Sequence, residues 1–97
     1  MEVIDKPELT YLQMGNSIKV LQIEGRAGMR MPPHYCTEEA VIIVKEGQAL
    51  LTMPSYDQLL CKGDTFIIPA KKEHTLKIQK DFKALAIMAI ESKINFI

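Results

Sequence analysis

Hydrophobic and polar side chains alternate along much of the chain. Residues 17–24 read SIKVLQIE, in which Lys19, Leu21 and Ile23 fall on one face and the residues between them on the other. A period of two residues predicts a β-strand. The proline pair at 32–33 favours an extended backbone for the residues around it. We therefore predict a strand over residues 17–24 and an extended backbone after the proline pair.

The most hydrophobic segment predicts a strand that is buried on both faces. Residues 40–44 read AVIIV, and β-branched residues on both faces are typical of a sheet that is covered on both sides. Residues 46–48, EGQ, predict a turn, after which residues 49–53 return as a second strand. The same signals predict further short strands at 59–61, 65–69, 74–79 and 84–91, with turns at 54–57, 62–64 and 80–83.

Short strands with turns at regular spacing predict an all-β fold, either a sandwich or a barrel. Only residues 7–14, PELTYLQM, are compatible with a short helical turn. A chain of 97 residues has room for one compact domain, so we expect residues 1–97 to form a single domain.

Composition and charge are those of an ordinary globular protein. Hydrophobic residues make up 47% and charged residues 25%, which argues against a disordered chain. The 12 basic and 12 acidic residues cancel, so we expect no nucleic-acid partner. The first residues, MEVIDKPELT, lack the pattern of a signal peptide, and the longest apolar stretch, 84–90, is too short to cross a bilayer. We therefore expect a cytoplasmic protein with no membrane partner, in which Cys36 and Cys61 stay reduced.

Two segments carry residues that are suited to binding a metal ion or a ligand. Residues 28–47 read GMRMPPHYCTEEAVIIVKEG, and residues 63–74 read GDTFIIPAKKEH. Together they resemble the two signature motifs of the cupins, which are small β-barrels of the jelly-roll type. The matching positions are Gly28, His34 and Gly47 in the first motif and Gly63, Pro69 and His74 in the second. The resemblance implies an all-β, cupin-type jelly-roll β-barrel of short antiparallel strands.

The resemblance also implies a set of metal ligands. In metal-binding cupins, two histidines and a glutamate from the first motif and a histidine from the second hold one divalent ion. Here those positions are His34, Cys36, Ala40 and His74. Residues 34 and 36 are two apart in a strand, so both can face the barrel interior. The implied ligands are therefore His34, Cys36 and His74, and the carboxylate is missing.

Neither glutamate next to Ala40 is expected to supply the missing carboxylate. Glu39 has the wrong parity to replace the carboxylate, and Glu38 falls in the expected bend, so both are more typical of a solvated rim. Two alternatives therefore remain open for this site. If a metal is bound, a sulfur ligand without a carboxylate favours one divalent zinc, copper or nickel ion over iron or manganese. Equally, no metal is needed if His34 and His74 are hydrogen-bonded core residues and Cys36 is a small buried hydrophobe.

A loop difference is expected next to the second motif. Lys71 stands where the motif has its inner glycine. A glycine allows a positive backbone angle at no steric cost, whereas lysine does not. We therefore expect the loop before His74 to differ slightly from the family norm.

The register of the predicted strands implies an apolar pocket. The residues expected to face inward, together with Ile78, are Ala40, Ile42, Val44, Phe66, Ile68 and Leu76. An apolar cavity with few polar groups is typical of a small-molecule site. We therefore expect a small cupin-fold protein that binds a small-molecule ligand and has an incomplete metal site. The alternatives are a metal-dependent cupin enzyme, a dioxygenase or isomerase with a His/Cys/His-bound divalent metal, and a thiol function with a lowered Cys36 pKa.

The outward-facing side chains predict a protein partner. Val41 and Ile43 would leave an apolar outer face in water. The C-terminal segment 92–97, SKINFI, contains the apolar residues Ile94, Phe96 and Ile97, which suggests docking onto the barrel or onto a partner chain. Because small cupins commonly pair sheet to sheet, the resemblance implies a homodimer.

Overall fold

A computed structural model describes residues 6–97, which form eight strands and no helix. Residues 1–5, which belong to the segment considered for a signal peptide, lie outside the described range. The strands are β1 (Glu8–Met14), β2 (Ile18–Gly25), β3 (Arg30–Cys36), β4 (Ala40–Thr52), β5 (Asp57–Cys61), β6 (Thr65–Ile68), β7 (His74–Ala89) and β8 (Ile94–Phe96). Within residues 6–97, then, there is no helix that could span a membrane.

Two long strands, β4 and β7, connect the two halves of the fold. They pair antiparallel from Ala40–Met88 at one end to Thr52–Thr75 at the other. One half contains β1, β2, the end of β7, the start of β4, and β6. The other half contains β8, β3, the start of β7, the end of β4, and β5. All of these pairs are antiparallel, so the all-β prediction is confirmed.

The turns predicted at 46–48 and 80–83 are wrong, because both segments lie within the long paired strands. The register between β4 and β7 is irregular from Val44 to Ala49, where the pair bends. Gly47 has a φ of 85°, and a Cβ there would collide with the carbonyl oxygen of Asp81. Such β-bulges bend a strand without reversing it. A glycine beside charged residues is compatible with a turn or with a bulge, and the pairing of β4 with β7 shows that it is a bulge.

Both ends of the described chain join the sheet. Residues 8–14 form β1 and not the short helical turn considered from the sequence, because they pair with β2 along most of their length. At the other end, β8 pairs with β3, and the Ile97 amide donates to the carbonyl oxygen of Pro33 at 3.0 Å. The apolar C-terminus therefore docks onto its own barrel, and Ile94 packs against the core.

The core lies between the inner faces of the two halves. Its members include Leu21, Ile23, Ile42, Val44 and Met88 from one half and Met31, Leu51, Leu60, Leu76 and Ile78 from the other. Burial along β4 alternates from Ala40 to Val44, so Val41 and Ile43 face outward. Phe66 is only half-buried and packs against the edge of the core.

The bend at Gly47 yields a test of the fold. We expect Gly47→Ala to lower the free energy of unfolding by about 3 kcal/mol or more, because strain at positive φ adds to the clash with Asp81. Gly63→Ala is the matched control, since Gly63 has a φ of 89° but a methyl group added to it would have no neighbouring atom within 4 Å. It should cost about 1–2 kcal/mol, from backbone strain alone. Urea unfolding of both variants measures the difference, and equal losses would contradict the packed bend.

Candidate functional site

Two histidines from neighbouring strands meet in the core. His34 on β3 is the direct antiparallel partner of His74 on β7, and both are buried. Their ring centroids are 4.2 Å apart, and the ring planes are inclined by 65°. Phe96 on β8 pairs with His34 from the other side, with the ring centroids 5.2 Å apart. The two imidazoles therefore adjoin within the sheet, although 40 residues separate them along the chain.

The proline pair in β3 determines which way His34 points. The register between β3 and β7 shifts between Met31 and His34, and both of these residues are buried while Pro33 is exposed. A regular strand would place residues three apart on opposite faces. Because proline cannot donate to the ladder, it is tolerated at such irregularities. The shift turns Met31, His34 and Cys36 inward together.

Backbone hydrogen bonds fix the tautomer of both rings. Nδ1 of His34 lies 2.7 Å from the carbonyl oxygen of Pro32, and Nδ1 of His74 lies 2.9 Å from that of Lys72. A carbonyl oxygen only accepts, so each Nδ1 carries the proton and donates it. In a neutral ring the other nitrogen, Nε2, is then an acceptor. Neither Nε2 forms a hydrogen bond within residues 6–97.

Burial keeps both imidazoles neutral. Loss of solvation lowers the pKa of His34 to about 4, the bond to Pro32 opposes this shift, and proximity to His74 adds to it. Burial likewise lowers the pKa of His74, against the bond to Lys72. Desolvation disfavours the charged form of a base, which explains the direction of both shifts. Near neutral pH the pair therefore presents two uncharged acceptor atoms.

Cys36 shares the interior with the histidines as a thiol. Burial raises its pKa, although the charge of Lys19 partly opposes that shift. The thiol function considered from the sequence required a neighbouring imidazole to lower this pKa, so that expectation is wrong. Both imidazoles are neutral and cannot stabilise a thiolate electrostatically. The sulfur atom remains a small, weakly polar part of the core.

No carboxylate from the first motif reaches the interior. Ala40 is buried at the position that the resemblance assigns to the missing glutamate. Glu38 and Glu39 are both exposed. Among residues 6–97, no group of three or more histidine, cysteine, aspartate or glutamate side chains could hold a metal ion.

The donor set therefore falls short of a resident divalent metal. Two imidazole nitrogens are in place, but zinc sites need three or four protein ligands. Cys36 lines the same cavity but does not form, with the histidines, a group of three side chains that could hold a metal ion. What remains of the implied site is the histidine pair.

The loop before His74 holds this corner of the barrel together. Lys71 has a φ of 63° and is the single non-glycine residue with positive φ among residues 6–97. It thus adopts the conformation that the glycine of the motif would allow. Its amide donates to the carbonyl oxygen of Cys36 at 2.7 Å, which ties the loop to the end of β3.

An apolar cavity of ≈ 40 Å³ adjoins the histidine pair. Four of the residues that the sequence assigned to a pocket line it, namely Ala40, Ile42, Ile68 and Leu76. Val44 and Phe66 do not: Val44 packs deeper in the core, and Phe66 lies at the core edge. Residues that the sequence did not single out complete the walls, among them Leu9, Leu21, Ile23, Leu51, Phe82 and Met88.

Lys19 is a buried polar side chain that the sequence analysis does not assign to a site. It shares its face of β2 with Leu21 and Ile23, and all three are buried. A lysine on the apolar face of an alternating strand is a signal in itself, because lysine is rarely buried. Both faces of this strand mix polar and apolar residues, however, so the sequence alone does not show which face is inside.

Comparison with known proteins identifies the fold. No protein-family model matches the sequence, and no curated protein matches it in sequence. Solved structures match it along nearly the whole chain. An uncharacterised Klebsiella pneumoniae protein with a double-stranded β-helix domain has a TM-score of 0.80 and 14% identity, over 100% of this chain and 90% of that one.

Two further structures agree. A cupin superfamily protein from Desulfitobacterium hafniense has a TM-score of 0.79 and 18% identity, over 94% of this chain and 84% of that one. A DMSP lyase from Ruegeria pomeroyi has a TM-score of 0.83 and 20% identity, over 95% of this chain and 52% of that one. At these identities the likeness concerns the fold. Residues 6–97 therefore form a small domain with the cupin fold, an antiparallel jelly-roll β-barrel.

Proposed function

We propose that this protein binds a small, largely apolar molecule beside His34 and His74 and that the two imidazoles accept hydrogen bonds from it. The observation that carries the proposal is the tautomer of the pair. Both Nδ1 atoms are committed to backbone carbonyls, which leaves both Nε2 atoms as unpaired acceptors. Both rings line an otherwise apolar cavity. An unpaired acceptor beside an apolar cavity gains a hydrogen bond when a bound group donates to it, so such a group is stabilised there.

The electrostatics of the cavity favour a neutral ligand with donor groups. The rings carry no charge near neutral pH, because burial lowers the pKa of each. An anion would gain no attraction there and would lose its solvation. A hydroxyl or amide N–H on an apolar frame meets both requirements, since its donor satisfies an Nε2 atom and its frame packs on the aliphatic walls.

The size of the cavity sets a condition on the ligand. Its volume of ≈ 40 Å³ exceeds the roughly 10–15 Å³ that one water molecule needs, but typical ligand pockets span about 300–1,000 Å³. Met31 and Met88 line the cavity. Their unbranched side chains can change rotamer to admit a larger guest. A ligand the size of one ring is therefore accommodated by side-chain movement.

The proposed hydrogen bonds predict a preference between two matched probes. Phenol and toluene have similar size, but only phenol can donate to Nε2. We expect the protein to bind phenol roughly three- to tenfold more tightly than toluene, the value of one hydrogen bond between neutral groups. The preference should vanish in the double variant His34→Phe/His74→Phe, because phenol has one donor and either Nε2 can accept it. NMR titration of the methionine methyl groups measures it, and equal affinity for both probes, or none, would contradict the proposal.

A metal-dependent cupin enzyme is the alternative. One observation favours it: metal-bound histidines usually donate their other ring N–H to a carbonyl or carboxylate, as both rings do to carbonyls here. The similarity to a DMSP lyase is compatible with catalysis on this fold but assigns no reaction to this chain. The missing ligands argue against it.

Metal content distinguishes the two functions. We expect purified protein to contain substoichiometric zinc, copper, nickel, iron and manganese by mass spectrometry, because two imidazoles are too few ligands. Stoichiometric metal that is lost in both His74→Ala and Cys36→Ala would instead support the enzyme.

We also propose that two copies of the chain pair through the outer face of one half-barrel. A row of apolar side chains crosses four adjacent strands there: Val20 on β2, Ile87 on β7, Val41 on β4 and Ile67 on β6. Ile67 is 56% exposed. A continuous apolar face of this kind is unfavourable in water, and an identical face on a second copy would cover it.

Light scattering after size-exclusion chromatography tests this pairing. The wild type should elute as a particle of twice the 11.0 kDa chain mass. Ile67→Lys should give a monomer, because it places a charge within the covered face. The matched control is Leu59→Lys on β5, where Leu59 is 43% exposed outside this row, and it should remain a dimer. A monomeric wild type would refute the pairing.

A further inference from the structure

A lysine lies buried at the end of the barrel without an acidic partner in the described part of the chain. Lys19 is 8% exposed, and its Nζ donates to the carbonyl oxygen of Ser92 at 2.6 Å. The ring of Tyr11 lies over the ammonium, with its centroid 5.8 Å from Nζ. The ion pair found among residues 6–97 is Lys83 with Glu24, and it does not involve Lys19. A carbonyl and a ring face only partly replace the solvation of an ammonium.

A second polar group at the same place also lacks a partner. Ser92 is 1% exposed, and its Oγ is the one buried side-chain polar atom without a hydrogen bond among the described residues. Buried hydroxyls are normally satisfied, so an orphan calls for an explanation. Lys19 and Ser92 are already joined through the Ser92 carbonyl. The Lys19 ammonium, which has further N–H groups to donate, and the Ser92 hydroxyl, which has no partner, therefore belong to neighbouring residues.

Both residues line a cavity of ≈ 430 Å³ between β1, β2 and β8. Its other polar residues are Lys93 and Asn95, and among residues 6–97 no acidic side chain lines it. The apolar walls include Tyr11, Ile94 and Phe96. The volume falls within the range of about 300–1,000 Å³ that is usual for small-molecule pockets.

We propose that this cavity binds a small monocarboxylate, with the carboxylate beside Lys19 and the apolar remainder against Tyr11, Ile94 and Phe96. Of the two lysines that line the cavity, Lys93 is exposed and Lys19 is buried, so one buried ammonium matches a single negative charge. A phosphate would bring more charge and more acceptors than one buried lysine and a hydroxyl can satisfy. The apolar walls require the rest of the ligand to be a hydrocarbon chain or ring.

This site is distinct from the histidine pair, although the two cavities share the walls formed by Leu9, Leu21, Met88 and Ile94. The chemistry of the two is opposite. The histidine pair offers neutral acceptors to a donor, whereas Lys19 offers a charged donor to an anion. The proposal therefore does not rest on the function proposed for His34 and His74, and the two can fail separately.

Binding of hexanoate, with hexanamide as the neutral control, tests the carboxylate site. We expect hexanoate to shift the backbone amide signals of Lys19, Ser92 and Ile94 saturably in NMR titrations at neutral pH. Hexanamide should bind about tenfold more weakly, because it lacks the charge that Lys19 recognises. Lys19→Gln keeps a donor for the Ser92 carbonyl but removes the charge, and it should weaken hexanoate binding about tenfold as well.

Two control variants separate the possible outcomes. Lys77→Met removes an exposed lysine from β7 and should leave hexanoate affinity unchanged. The double variant His34→Phe/His74→Phe should also leave it unchanged, while it abolishes the preference for phenol. Hexanoate that fails to bind, or that binds Lys19→Gln as tightly as the wild type, would overturn the proposal. So would hexanoate binding that depends on His34 and not on Lys19.

Discussion

The antiparallel pairing of β4 with β7 is the constraint on which the rest of the structure depends. Both strands pass through both halves of the barrel, so the bend they share near Gly47 and Asp81 sets how the two inner faces meet. The start of β7 carries His74 and receives β3, which brings His34 alongside. The end of β7 receives β2, where Lys19 pairs with Met88. The two ends of β7 therefore position the two sites.

The same strand pair explains why the interior holds two different electrostatic environments. At the start of β7, burial and backbone carbonyls leave two neutral imidazoles that face aliphatic walls. At its other end, an ammonium is buried against a single carbonyl and an aromatic ring. Desolvation favours the neutral form of an imidazole, whereas a buried ammonium depends on hydrogen-bond acceptors and on nearby negative charge. The first environment favours a neutral donor and the second favours an anion.

Much of the fold could be predicted from local patterns in the sequence. Alternation over 17–24 and the apolar run at 40–44 identify strands, and the paired motifs identify the barrel. The turns at 46–48 and 80–83 were mispredicted because each is locally plausible and only the long-range pairing shows that they form one bend. Residues 8–14 carry little pattern, since the strand lies at an edge and most of its side chains are exposed.

The candidate site was predictable in part. Motif spacing brought His34 and His74 together, but the tautomers depend on backbone carbonyls whose positions follow from the irregular register of β3 and the loop before β7. The importance of Lys19 depends on which face of β2 is inside, and that is decided by partners distant in the sequence.

The central claim is that His34 and His74 form a buried, uncharged pair whose Nε2 atoms both act as acceptors. Long-range proton–nitrogen NMR of the histidine rings near neutral pH measures this directly, because it reports which nitrogen of each ring carries the proton. The account predicts that both rings are neutral and protonated at Nδ1. A proton on Nε2 of either ring, or an imidazolium signal, would contradict it.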